Sequence, residues 1–173
     1  MLSIRRIWIP LAAAALALAA FSAQAEGTKF AAKLTGAAQL PEPTDSKAEG
    51  ELALVIAADG SRINYTLTVK NLQNASGADL HFGGEFANGP SVVKLFPLHG
   101  AAAKKGEFSG VLAEGTITAA DLIGPMKGSS MADLIDEIAE GETYVNIHTS
   151  DGVDPPNSGP GDYRLGEIRG QVK

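Results

Sequence analysis

Glu51-Leu52-Ala53-Leu54-Val55-Ile56-Ala57-Ala58-Asp59-Gly60-Ser61-Arg62-Ile63-Asn64-Tyr65-Thr66-Leu67-Thr68-Val69-Lys70 reads as two strands and a turn. Successive side chains on a strand point to opposite faces, so Leu52, Leu54 and Ile56 share one side of the first run. Ile63, Tyr65, Leu67 and Val69 share one side of the second, against Asn64, Thr66, Thr68 and Lys70. Asp59-Gly60 between two alternating runs is a hairpin turn signal. A hairpin with one apolar and one wet face needs partners on its apolar side, so the chain predicts an antiparallel β domain.

Similar runs occupy residues 28–34, 78–82, 91–96, 143–149 and 165–172. Gly110 and Gly115 interrupt another at 107–118, which reads as one bent strand or two short ones. Residues 35–50, with Pro41, Pro43, Asp45 and Gly50, read as a loop, as do 98–105 and 150–162, and residues 71–77 as a connection. Gly83-Gly84 and Asn88-Gly89-Pro90 mark a bend; they lack the phosphate-loop pattern. Ser130 with Asp133 three residues on opens a helix over about 131–140, with Met131, Leu134, Ile135 and Ile138 on one stripe and Gly141 to stop it. Thr118 caps a shorter helical turn at 119–123. The expectation is a mainly β fold: an immunoglobulin-like or Greek-key sandwich or barrel of about seven to nine short strands, covered at one edge by the helix.

Residues 1–25 have the pattern of a cleaved signal peptide: Arg5-Arg6, an apolar run from Ile7 to Phe21 that is short for a span and contains Pro10, then Ala23-Gln24-Ala25. The domain then runs over 26–173, and the product is exported to the periplasm or the cell exterior without a membrane span. Removing residues 1–25 takes Arg5 and Arg6 and no acid, so 14 basic residues become 12 against 20 acidic, and the net charge goes from −6 to −8. Such an acidic chain is a poor match for nucleic acid. It has no cysteine, so neither a disulfide nor a thiol nucleophile is available, and Gly-x-Ser-x-Gly is absent.

The concentrated polar chemistry lies on three strand-like runs. Ala78-Asp79-Leu80-His81-Phe82 places Asp79 and His81 on one face, Tyr144-Val145-Asn146-Ile147-His148 places Tyr144, Asn146 and His148 together, and Glu167, Arg169 and Gln171 oppose Ile168 and Val172. Asp-x-His on one strand offers two ligands about 6–7 Å apart at the backbone. With His148 from a neighbouring strand they form an open three-ligand set for copper or zinc. His99 stands in a different loop and is not included. The same residues also read as a lock between strands, with the imidazoles and Asn146 hydrogen-bonded and Glu167 and Arg169 closing the network. A third reading is a face for a protein or glycan, rimmed by residues 151–163. Asp151-Gly152-Val153-Asp154 lacks EF-hand spacing and reads as a solvated loop.

The order of these pieces resembles the CHRD domain, named after chordin and found alone in bacterial exported proteins. Its carriers are Leu34-Thr35-Gly36-Ala37, Asn64 to Val69, Ala78-Asp79-Leu80-His81, Asn88-Gly89-Pro90-Ser91-Val92-Val93, Gly115-Thr116-Ile117-Thr118, Tyr144 to Thr149, and Gly166 to Gln171. The resemblance implies an immunoglobulin-like β structure. The family usually reads Ala-His-Ile-His where this chain has Ala78-Asp79-Leu80-His81, so a carboxylate replaces the first imidazole, and the segment between His148 and Gly166 is longer than usual. The function expected from the whole is a non-enzymatic binding or structural module. The alternative is a small copper or zinc protein using Asp79, His81 and His148, with superoxide-dismutase-like chemistry as its distant extension.

Overall fold

The computed structural model describes residues 27–97, 104–153 and 159–173. Residues 1–26, where the signal-peptide pattern falls, and His99 and Asp154 lie outside the described residues. Seven strands and one α-helix appear among them, in the order β1 (Lys29–Thr35), β2 (Glu49–Ile56), β3 (Ile63–Phe82), β4 (Ser91–Phe96), β5 (Lys104–Ile117), α1 (Met131–Ala139), β6 (Thr143–Thr149) and β7 (Ile168–Gln171).

The β2–β3 hairpin forms as the alternation dictates, with Leu52 opposite Leu67 and Leu54 opposite Tyr65. All seven of its core-face residues are buried. β3 is the axis of the molecule. Its first half pairs with β2 and β5, and its second half with β4 and β6. β7 joins β6, β1 joins β2, and Thr35 opposite Arg169 links β1 to β7, so the sheet closes on itself like a barrel. Closure removes the unpaired edges of β1, β2, β6 and β7, while β4 and β5 each pair with β3 alone among the named strands.

Two expectations need correction. Residues 71–77 are not a connection: they continue β3, which is one strand of 20 residues rather than two short ones. Asn71 and Asn74 adopt left-handed φ values of 53° and 49°, and the pairing with β5 shifts register beside each. Asparagine tolerates that conformation better than most residues. Here Asn74 also fixes the bulge through its side chain, accepting from the Gly106 amide (2.9 Å) and donating to the Gly161 carbonyl (3.2 Å). The bulges bend β3 from one part of the sheet to the other. The closing strand is also shorter than 165–172. Gly166, at φ 136°, turns the chain just before β7, and Leu165 is left 94 % exposed.

Helix α1 starts at the expected capping box: the Ser130 hydroxyl accepts from the Asp133 amide while the Asp133 carboxylate accepts from the Ser130 amide. Met131, Leu134 and Ile138 are buried, and Gly141 follows at φ 76°. The shorter turn forms at Ala119–Asp121 with its own Thr118–Asp121 box. Inside the barrel, apolar side chains from all seven strands and from α1 form one cluster. Each fully buried Leu or Ile contributes about 1.5–3 kcal/mol, so the core needs no disulfide to hold the outer polar face in place.

Candidate metal centre

The register of β3, β6 and β7 sets the site. Asp79 stands opposite Asn146, which stands opposite Arg169; His81 stands opposite Tyr144, which stands opposite Gln171. His148 faces Gly77, and its imidazole reaches diagonally to Asp79. Leu80, Val145, Ile147 and Ile168 point the other way into the core, which fixes the polar side chains on their own face.

Asp79, His81 and His148 converge. Each offers one ligand-type atom, and these atoms lie within 4.8 Å of one another. His148 Nε2 is 3.6 Å from Asp79 Oδ2. In a tetrahedral site with ligands about 2.1 Å from the ion, neighbouring ligand atoms stand about 3.4 Å apart, so small side-chain rotations close the set.

Both imidazoles are oriented by main-chain carbonyls. His81 Nδ1 is 3.0 Å from the Gly89 oxygen, and His148 Nδ1 is 3.0 Å from the Arg164 oxygen. A carbonyl only accepts, so Nδ1 carries a proton in each ring, and in the neutral imidazole the lone pair then lies on Nε2. That pre-orientation is the usual outer support of a metal-bound histidine. His81 Nε2 is buried and has no protein hydrogen-bond partner. Burial lowers the basicity of His81 and outweighs its bond to Gly89 and the charge of Asp79, so the ring favours the neutral form that binds metal. Ser91 donates to Asp79 Oδ1 (3.2 Å), leaving Oδ2 to the histidine side.

A stack supports the centre from behind. The His81 ring lies on Tyr144, centroids 4.9 Å apart and 14° from parallel, and the Arg169 guanidinium sits 3.7 Å from the Tyr144 centroid. Arg169 is buried and donates to Asn88 Oδ1 (2.8 Å) and to the Gly84 and Ala87 carbonyls (3.0 and 2.9 Å). Its fork therefore clamps the 83–90 loop, whose Gly89 carbonyl holds His81.

Glu167 and Arg169 do not pair with each other. The Glu167 carboxylate accepts from Ser46, Thr149 and the Gly161 amide, tying three distant segments together. Asn146 accepts from Gln39 and donates to the Leu165 carbonyl, so it too is committed away from the imidazoles. Sequence reasoning missed the Gly89 and Arg164 carbonyls, which are main-chain groups without a side-chain signature, and Ser91, which pairs with His81 across β3 and β4. Two surface grooves, of about 690 and 430 Å³, include none of Asp79, His81 and His148, though Arg169 and Gln171 line the smaller.

A barrel-like β domain with an inward-tied His–His–Asp cluster on its polar face is the class that this geometry defines. The model of the CHRD domain matches residues 30–156, and the chain belongs to that family. The matched span contains Asp79, His81 and His148 and stops short of β7. No curated protein matches the chain. Among the described residues no helix is long and apolar enough to cross a membrane.

Proposed function

We propose that this chain is an exported metal-binding module, holding one copper or zinc ion between Asp79 and the Nε2 atoms of His81 and His148. The observation that carries the reading is the pairing of two Nδ1 tie-backs to carbonyls with a buried His81 Nε2 that no protein group satisfies. Two imidazoles and a carboxylate suit both ions, and the absence of cysteine argues against a site for softer thiolate chemistry. The bound ion would supply Lewis acidity or, as copper, one-electron chemistry; the protein's part is to hold two imidazoles and one carboxylate oriented and partly shielded. Export rests on the pattern of residues 1–25, and the secreted product should begin at Glu26.

Metal analysis of protein purified without a histidine tag tests the reading. One equivalent of metal that is lost in both His81→Ala and His148→Ala supports it.

A second reading keeps the module non-enzymatic and metal-free, with the cluster as a lock between β3, β6 and their loops. The close approach of His148 to Asp79 favours it, since a protonated imidazole there makes an ion pair. Under that reading both alanine variants melt at lower temperature while the wild type never holds metal. A protein or glycan partner would then engage the adjoining loops, where Phe86 and Leu165 are 89 % and 94 % exposed. A pull-down with and without residues 151–163 tests that role.

A further inference from the structure

We propose that the ion held by Asp79, His81 and His148 keeps one exchangeable coordination position, and that this position takes small anions. The inference rests on the metal reading above and extends it to the ligand that the ion would bind.

Among the described residues no other histidine or carboxylate joins the three. The neighbouring polar side chains are already committed. Ser91 donates to Asp79, and the Tyr144 hydroxyl is shared between the Gly89 amide (3.1 Å) and carbonyl (3.2 Å). Asn146 uses its oxygen on Gln39 and its nitrogen on Leu165. A four-coordinate ion with three protein ligands completes its shell from solution. The way in is open, because the side chains of His148 and Asp79 keep 21 % and 14 % exposure.

Charge then selects the ligand. A divalent ion with two neutral imidazoles and one carboxylate retains one positive charge. Behind Tyr144 stands a second, Arg169, whose hydrogen-bond partners are an amide oxygen and two carbonyls, all neutral. Arg169 is only 2 % exposed, so little water screens it. The buried carboxylates Glu167 and Asp162 keep their charge, since the partners of Glu167 (Ser46, Thr149 and the Gly161 amide) are also neutral, but neither is among the charges that bear on His81. The charged groups that bear on His81 are Asp79, His148 when protonated, and Arg169. Once the ion neutralises Asp79, the remaining field at the open position is positive, and an anion is favoured over a neutral ligand.

Copper(II) and azide are the probes. The mature chain is loaded with copper, its one-to-one stoichiometry is confirmed by metal analysis, and azide is titrated while absorption and electron paramagnetic resonance spectra are recorded. The expected result is a saturable azide-to-copper charge-transfer band with a matching change in the resonance spectrum. Stoichiometric copper with spectra that azide leaves unchanged would overturn the open position while leaving the metal reading intact. Failure to hold copper at all would overturn both. For the charge argument, Arg169→Lys and Arg169→Met are compared after circular dichroism has confirmed their fold. Azide affinity should stay within about twofold in the lysine variant and fall roughly fivefold or more in the methionine variant. Equal affinity in Arg169→Met and wild type would overturn the part assigned to Arg169.

Discussion

Replacing Arg169 with methionine tests the support beneath the site. The substitution keeps most of the apolar stem and removes three charge-assisted hydrogen bonds, to Asn88, Gly84 and Ala87, together with the contact on the Tyr144 ring. Such bonds contribute about 1.5–3 kcal/mol each and a shielded cation–π contact about 2 kcal/mol. Two effects reduce the sum. Burying a guanidinium costs several kcal/mol, and that cost disappears with the charge. The freed acceptors also belong to the 83–90 loop, where Ala87 and Asn88 are exposed and can be rehydrated. A net loss of about 2–4 kcal/mol remains, a large share of the roughly 5–15 kcal/mol that holds a domain together. Urea unfolding followed by far-ultraviolet circular dichroism measures it, with an unchanged slope showing that the unfolded reference has not moved. Hydrogen exchange adds the local readout: the amides of Gly83, Ala87 and Gly89, bonded to Glu142, Gly84 and Tyr144, should lose protection before the barrel does. Arg169→Lys should recover less than half of the loss, because one ammonium cannot reproduce the fork. A cost below about 1 kcal/mol, or a lysine variant as stable as the wild type, would refute the clamp.

Three further outcomes are expected. Burial, and secondarily the charge of Asp121, push the Tyr65 hydroxyl up to about 12, and that hydroxyl donates to the Leu95 carbonyl (2.8 Å). Its contribution is whole below pH 10 and is lost as pH rises from 10 through 12, on the order of 2 kcal/mol. Tyr65→Phe should therefore be slightly less stable at neutral pH but lose less over that alkaline range, and parallel losses in the two proteins would contradict it. Zinc or copper at 100 times its dissociation constant should stabilise the wild type by about 2.7 kcal/mol, a melting rise of roughly 5–11 °C for a domain of this size, and His148→Ala should show no such rise. Gly166→Ala places a Cβ at φ 136° onto the side chains of Asn146 and Gln39, so a loss of about 2–4 kcal/mol is expected in denaturant unfolding, and a neutral result would show that the turn before β7 is loose.

The hairpin was legible because its period of two is uninterrupted from Leu52 to Ile56 and from Ile63 to Val69, and the helix because its cap, stripe and stop agree. The stretch 71–77 misled because two asparagines, a serine and a glycine read as loop chemistry; what makes it strand is the ladder that β5 supplies, with Leu72 opposite Phe108 and Gln73 opposite Glu107. No local pattern reports a partner more than 30 residues away. At the site, the same alternation placed Asp79, His81 and His148 on common faces, and a polar face of a strand is visible in one dimension. Their convergence depended on strand order, which put β6 beside the second half of β3. Glu167, just before β7, and Arg169, within it, take different partners: Ser46, Thr149 and the Gly161 amide for the first, and the 83–90 loop for the second. Such long-range partners have no local signature.

Anomalous diffraction from crystals of the mature protein grown with zinc tests the central claim most directly. One strong peak is expected at the zinc edge, about 2.0–2.2 Å from His81 Nε2, His148 Nε2 and a carboxylate oxygen of Asp79. A featureless map at that position in zinc-saturated crystals, or a peak whose ligands are other residues, would contradict it.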